Sequence, residues 1–148
     1  MSEIKSHRDL RAWQMSIALA KRVMKAANTF PKSEAFGLAS QVRRSAVSVP
    51  SNIAEGFGRG SRKDYLRFLK VARGSLFELD TQLLLARELD YITARGHDSL
   101  CADWNEVSKV LAGLIRHMSA GRASTNAESR MPNAVSSPKQ GRSKGPRL

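Results

Sequence analysis

The chain has 148 residues, 41% of them hydrophobic, which suits one domain around a single core. Its formal net charge is +12, with 19 Lys and Arg against 12 Asp and Glu through Gly121 and 6 against 1 beyond it; both parts are basic, which favours a polyanionic partner, nucleic acid before membrane. The single cysteine excludes an internal disulfide, no apolar run approaches the roughly 20 residues of a membrane span, and the N-terminus has no apolar signal core, so a soluble cytoplasmic protein is expected.

The first predicted helix runs from about Arg8 to Asn28, with an apolar seam at Leu10, Trp13, Ile17, Ala20, Met24 and Ala27. Phe30-Pro31 breaks it, because the residue before a proline is pushed away from helical geometry. Ser33 then offers an N-cap, with Glu34 in the first turn.

The second seam reads Ala39, Val42, Ala46, Val49, Ile53 and Gly56. Pro50 lies inside that register, and the apolar spacing keeps its phase across it. The stretch therefore reads as a helix kinked at Pro50 rather than as a strand at Val47-Ser48-Val49, which has only three residues of alternation and no partner. Gly56, Gly58 and Gly60 supply the conformational freedom of a helix exit. Ser61 followed by Asp64 resembles a capping box and opens the third helix, whose seam is Tyr65, Leu69, Ala72, Leu76, Leu79, Leu83 and Ala86, ending near Leu89-Asp90. A turn at Thr93 to Gly96 leads to the fourth seam, Leu100, Trp104, Val107, Leu111, Leu114 and Met118, closed by Gly121.

Four amphipathic helices with short connections predict an all-α, antiparallel up-down-up-down four-helix bundle over residues 1–121. Residues 122–148 turn to Ser, Pro, Asn, Gly and basic types with few large apolar side chains, the composition of a disordered basic tail.

No catalytic constellation emerges, and no cofactor or metal is expected. The glycine cluster lacks GxxxxGK[ST], and a dinucleotide fingerprint would need a preceding strand and a glycine where Ser61 stands. His7, His97 and His117 are not spaced as metal ligands and read as surface or helix-end residues. Cys101, read as having no helical His or Asn at a useful offset, is expected to be a buried thiol.

The strongest chemical signal is positional. At about 100° per residue, Lys63, Arg67 and Lys70 fall together, nearly opposite the third seam, with Arg62 and Arg73 at the flank. Arg43 and Arg44 on the second helix and Arg59 in the following loop extend this basic stripe. The opposing interpretation is an ordinary solvated face. The acids of helix three gather toward its C-terminal half, leaving the first half unbalanced. Such a surface binds backbone phosphates with steep salt dependence and little base reading. Glu55, Arg73 and Glu78 fit either an interhelical ion network or a ligand site, and Gln41 and Asn52 fit caps or bridges.

The segments RDLRAWQ (Arg8 to Gln14), FGLASQVRRSAVSVPSNIAEGFGR (Phe36 to Arg59) and YLRFLKVARGSLFELDTQL (Tyr65 to Leu83) resemble the bacterial four-helix proteins associated with intervening sequences of 23S ribosomal RNA genes. The resemblance covers about the first 120 residues and is carried by the SQ-RR-A-S-P-NIAEG and ARGS-E signatures. It implies a homopentameric ring, nucleic-acid binding to RNA or DNA, and no enzymatic activity. A related group of similar fold accompanies the reverse transcriptases of diversity-generating retroelements, which makes an adaptor role toward a nucleic-acid enzyme the alternative. By position the signature residues are Gln41, Arg43, Arg44, Ser48, Pro50, Asn52, Glu55, Gly56, Arg73, Gly74, Ser75 and Glu78. Gly74 and Ser75, small residues beside a seam, are expected to let helices approach closely.

Overall fold

The computed structural model describes residues 3–123 and is all helical there, with no strand among the described residues. Ser6 accepts from the Arg8 N–H at 3.0 Å and the Asp9 carboxylate accepts from the Ser6 N–H, a capping box on a single 3-10 turn at His7–Asp9. Leu10 then returns to extended backbone and α1 begins at Arg11, three residues later than the seam suggested, and runs to Ala27.

The buried stripe of α1 is Ala12, Ser16, Leu19, Ala20, Val23 and Ala27, so the expected seam is rotated by about one residue. Ile17 is left 41% exposed, while Trp13 and Met24 lie half-buried at the edge. The physical reason is Ser16. A serine inside the true stripe interrupts its apolar pattern, yet its hydroxyl donates to the Trp13 carbonyl at 2.9 Å and so enters the core satisfied.

A second 3-10 turn, Lys32–Glu34, precedes α2 at Leu38–Gly58. The cap expected of Ser33 is supplied by Glu34 instead, whose carboxylate accepts from the Leu38 N–H at 2.8 Å. Pro50 lies within the continuous helix, and all six residues of the second seam are buried. The connection Arg59-Gly60-Ser61 turns the chain, with Gly60 at φ +83°, a left-handed conformation that favours glycine. Ser61 Oγ accepts from the Asp64 N–H at 3.1 Å and starts α3, Arg62–Glu88. Every residue of the third seam is buried.

Asp90, at φ +63°, helps end that helix. The turn expected at Thr93 to Gly96 is shorter than its sequence suggested. Thr93 Oγ1 accepts from the Gly96 N–H at 2.9 Å, so Gly96 already lies in the first turn of α4, which runs Ala94–Ala123 and passes through Gly121. The helix thus reaches two residues into the expected tail, 122–148, whose remainder lies outside the described residues.

The backbones of α1 and α2, α2 and α3, α3 and α4, and α4 and α1 run close together, with no such close backbone approach across either diagonal among the described residues. The helices thus occupy the four corners of one bundle. Ile53, Leu69, Leu76, Leu79, Leu83 and Leu111 are fully buried at its centre, each such side chain contributing about 1.5–3 kcal/mol. Trp104 adds direction: its Nε1–H donates to the Leu76 carbonyl at 2.6 Å, and its ring meets Phe77 edge-on at 5.2 Å. No helix among the described residues is long and apolar enough to cross a membrane.

Candidate nucleic-acid interface

The Ser61 cap fixes where α3 starts, and with it the angular position of every basic residue in its first half. Lys63 and Lys70 are exposed and have no ion pair among the described residues. Arg67 is exposed and reaches Asp64 at 3.5 Å, one turn back on the same helix. Exposed pairs of this kind are worth about 0–1 kcal/mol, so Asp64 only partly balances the local charge.

Beside them lies an arrangement that helix-by-helix sequence reading missed. Phe68, half-buried, is flanked by two guanidinium groups, with the Arg67 Cζ 4.4 Å and the Arg59 Cζ 5.0 Å from its ring centroid. Arg59 comes from the C-terminal end of α2, where it also pairs with Glu55 at 2.9 Å. The ring sits there because Gly56 has no side chain: a Cβ on Gly56 would stand 2.7 Å from Phe68 Cβ. Only the pairing of α2 with α3 reveals this grouping, so neither helix alone signals it.

The other basic candidates divide. Arg44 and Arg73 are exposed without an ion pair among the described residues. Arg62 is half-buried and donates to the Met118 carbonyl at 3.0 Å, tying the start of α3 to the end of α4. Arg43, also half-buried, donates to Asn28 Oδ1 at 2.9 Å and lines a small cleft with Phe30, Lys32 and Ala39 near the α1–α2 connection. These two guanidiniums are engaged within the protomer, whereas Lys63, Arg67 and Lys70 form one outward cluster with Arg59 at its side.

The signature residues have separate placements. Ser48 and Ser75 hydroxyls bond across α2 and α3 at 2.7 Å, and the Asn52 carboxamide donates to both the Ser48 carbonyl (2.8 Å) and its hydroxyl (2.9 Å). Pro50, buried in the next turn, removes a donor from the α2 ladder. Gln41, Ser48, Ser75 and Glu78 line a polar groove between the two helices. Glu55 pairs only within its own helix, and Arg73 and Glu78 form no ion pair among the described residues, so the interhelical ion network does not form. Gly74 is exposed, and an added Cβ there would meet nothing within 4 Å. The close helix approach falls at Gly56 instead.

Two further readings need correction. His97 is buried, not superficial, and it stands one turn before Cys101 with its Nε2 3.3 Å from Sγ. The offset of four was available in the sequence. Cys101 is half-buried rather than fully enclosed, and its thiol is pushed up by burial and by the nearby Asp80 and Asp98 carboxylates, partly opposed by Arg87. A raised thiol carries less of the nucleophilic thiolate. His7 packs edge-on against Trp13 at 5.1 Å, and His117 is exposed. No cluster of three or more His, Cys, Asp or Glu suited to a metal occurs among the described residues.

Among curated proteins, none matches this chain. A crystal structure of a protein of unknown function from the S23 ribosomal protein family of Bacteroides thetaiotaomicron is similar, at 26% identity and a TM-score of 0.66, covering 71% of this chain and 98% of that one. The family model described as 23S rRNA-intervening sequence protein matches residues 8–113, which take in α1, α2, α3 and most of α4. The chain belongs to the 23S rRNA-intervening sequence protein family.

Proposed function

We propose that this chain is a non-enzymatic, self-associating protein that binds RNA or DNA chiefly through backbone phosphates, with Lys63, Arg67 and Lys70 as its central contacts. The observation that carries this reading is the outward cluster on the first half of α3, where Lys63 and Lys70 have no acid partner among the described residues and Arg67 shares one. Arg59 and Phe68 beside it add a cation and an aromatic edge. The family, described by its association with 23S rRNA intervening sequences, lends the reading context.

A single such cluster binds weakly. Repeated in every copy of a ring, pentameric as the sequence resemblance implies, it gains affinity through effective concentration rather than new contacts. The cytoplasm, where RNA and DNA are at hand, is the compartment this activity needs.

Mobility-shift titrations at two salt concentrations test the proposal. Log affinity should fall with log salt at a slope of about −0.7 to −0.9 per phosphate neutralised. The triple variant Lys63→Glu, Arg67→Glu, Lys70→Glu should abolish binding while circular dichroism shows helical content unchanged, since all three side chains are exposed. Absence of binding at low salt, or affinity that ignores salt, refutes it.

A further inference from the structure

The polar groove between α2 and α3, about 360 Å³ in volume, is lined in part by Gln41, Arg44 and Ser45 from α2 and by Ser75, Glu78 and Gln82 from α3. Gln82 is only 7% exposed, and its Oε1, enclosed from solvent, has no hydrogen-bond partner among the described residues. A buried acceptor in that state destabilises the fold unless something fills it. Glu78 lies one turn before Gln82 on the same face of α3, exposed and without an ion pair among the described residues. Across the groove stands Arg44, which is exposed and likewise unpaired. The Ser48 and Ser75 hydroxyls are already bonded to each other.

The groove therefore offers an open carboxylate, Glu78, on one wall and a guanidinium on the other, with the Gln82 carboxamide enclosed one turn along from Glu78, where it must turn outward to meet a ligand. A partner bearing only cationic donors would be opposed by Arg44, and a simple anion would be opposed by Glu78. What fits both is a planar group with neighbouring N–H donors along one edge and acceptors along another. Guanine has that pattern: N1–H and the N2 amine face one way, O6 and N7 the other, and arginine recognises O6 and N7 through paired donors. Adenine, cytosine and uracil each present fewer adjacent donors. Bases splayed from single strands are read on these edges. The groove is within reach of the cluster, since Lys70 precedes Glu78 by eight residues, about 12 Å of helix rise.

We infer that the α2–α3 groove receives an unstacked guanine of a single-stranded nucleic acid, with Glu78, and Gln82 once its carboxamide turns outward, accepting from its N–H edge and Arg44 donating to O6 and N7. This rests on the nucleic-acid reading above and adds base preference to it.

Fluorescence anisotropy on the full chain, at one fixed salt concentration, tests the inference with short single-stranded oligonucleotides of equal length. One set carries guanine, one inosine, which lacks the N2 amine, and one adenine at the same positions. The guanine set should bind about tenfold tighter than the adenine set, with inosine losing most of that gain. Glu78→Gln and Gln82→Leu should each bring the guanine-to-adenine ratio close to one while leaving the salt slope on the adenine set unchanged. Should Gln82→Leu fail to fold, the exposed, isosteric Glu78→Gln still decides. Equal affinity for the guanine and adenine sets overturns the inference, as does a preference that survives both variants. A change in sedimentation without a change in preference also overturns it, and makes the groove a contact between copies. Binding without guanine preference removes this inference alone. No binding of any oligonucleotide removes it together with the proposed function.

Discussion

Gly56 lies buried where α2 passes α3, and a Cβ built on it would approach Phe68 Cβ to 2.7 Å and the Tyr65 ring and carbonyl to 3.3 Å. A Cβ and a backbone carbonyl on the opposing helix cannot swing aside as a long side-chain tip can, so relief requires the helices to part. Gly56→Ala should therefore lower stability by about 1–3 kcal/mol in urea denaturation, despite alanine's better helix propensity. Gly74 is the reverse case. It is a helix-interior glycine with open space around it, and Gly74→Ala should raise stability by up to about 1 kcal/mol. A loss at Gly74 would instead mean that another chain approaches it. From sequence the two glycines look alike, each standing in a helix beside a seam. What separates them is the partner surface, which no single-helix pattern contains.

The connections between helices are held by a clasp that joins two of them. The Glu34 carboxylate accepts from the Leu38 N–H at the start of α2 and from the Tyr91 hydroxyl at 2.7 Å, beyond the end of α3. The Phe30 and Tyr91 rings pack at 5.5 Å beneath it. The backbone hydrogen bond, then the tyrosine, hold the Glu34 carboxyl below its ordinary value of 4.5, and the same bond pushes the Tyr91 phenol up. Because the folded-state value lies below the unfolded one, the carboxylate's stabilisation is fully present above about pH 4.5 and disappears as the pH falls through the lowered value. Glu34→Gln should be less stable than the wild type at pH 7, with the gap in thermal midpoint closing in acid below that range; a gap independent of pH would show that the charge is immaterial. Periodicity placed α2, α3 and α4 well because each has one stripe of apolar or small residues at unbroken three- and four-residue spacing, Leu-rich in α3 and α4 and built of Ala, Val, Ile and Gly in α2. In α1, apolar residues spread around more of the circumference, so the neighbours decide which arc is buried, and Ser16 outcompetes Ile17. Ser33 failed as a cap for a related reason: the 3-10 turn delays the helix until Leu38, where Glu34 is the group in range.

Across the whole molecule, the outer face of α3 divides along its length. Lys63, Arg67 and Lys70 occupy the first half; Phe77, Leu84 and Leu85, exposed at 53%, 47% and 48%, occupy the second. On a wheel of 100° per residue these six share one arc of the helix, and Val71 lies at its edge. The basic half was legible in the sequence, since a surface stripe depends only on one helix and its seam. The α2–α3 groove and the inward engagement of Arg43 and Arg62 were not, because they depend on which helices are neighbours. Phe77, Leu84 and Leu85, with the exposed Thr81 between them, are large exposed apolar side chains gathered on one arc, as at protein-association surfaces. If a second copy covers it, Leu84→Glu with Leu85→Glu should leave the helical content intact, because neither side chain belongs to the core, yet reduce the mass measured by light scattering to that of a monomer. Nucleic-acid affinity should then fall by about 100-fold or more although no cation has been touched, since the gain from linking several weak clusters would be lost. An unchanged mass would assign the apolar half to a different partner. A monomer with full affinity would show that the cluster on one protomer suffices, and that assembly serves some other purpose than binding.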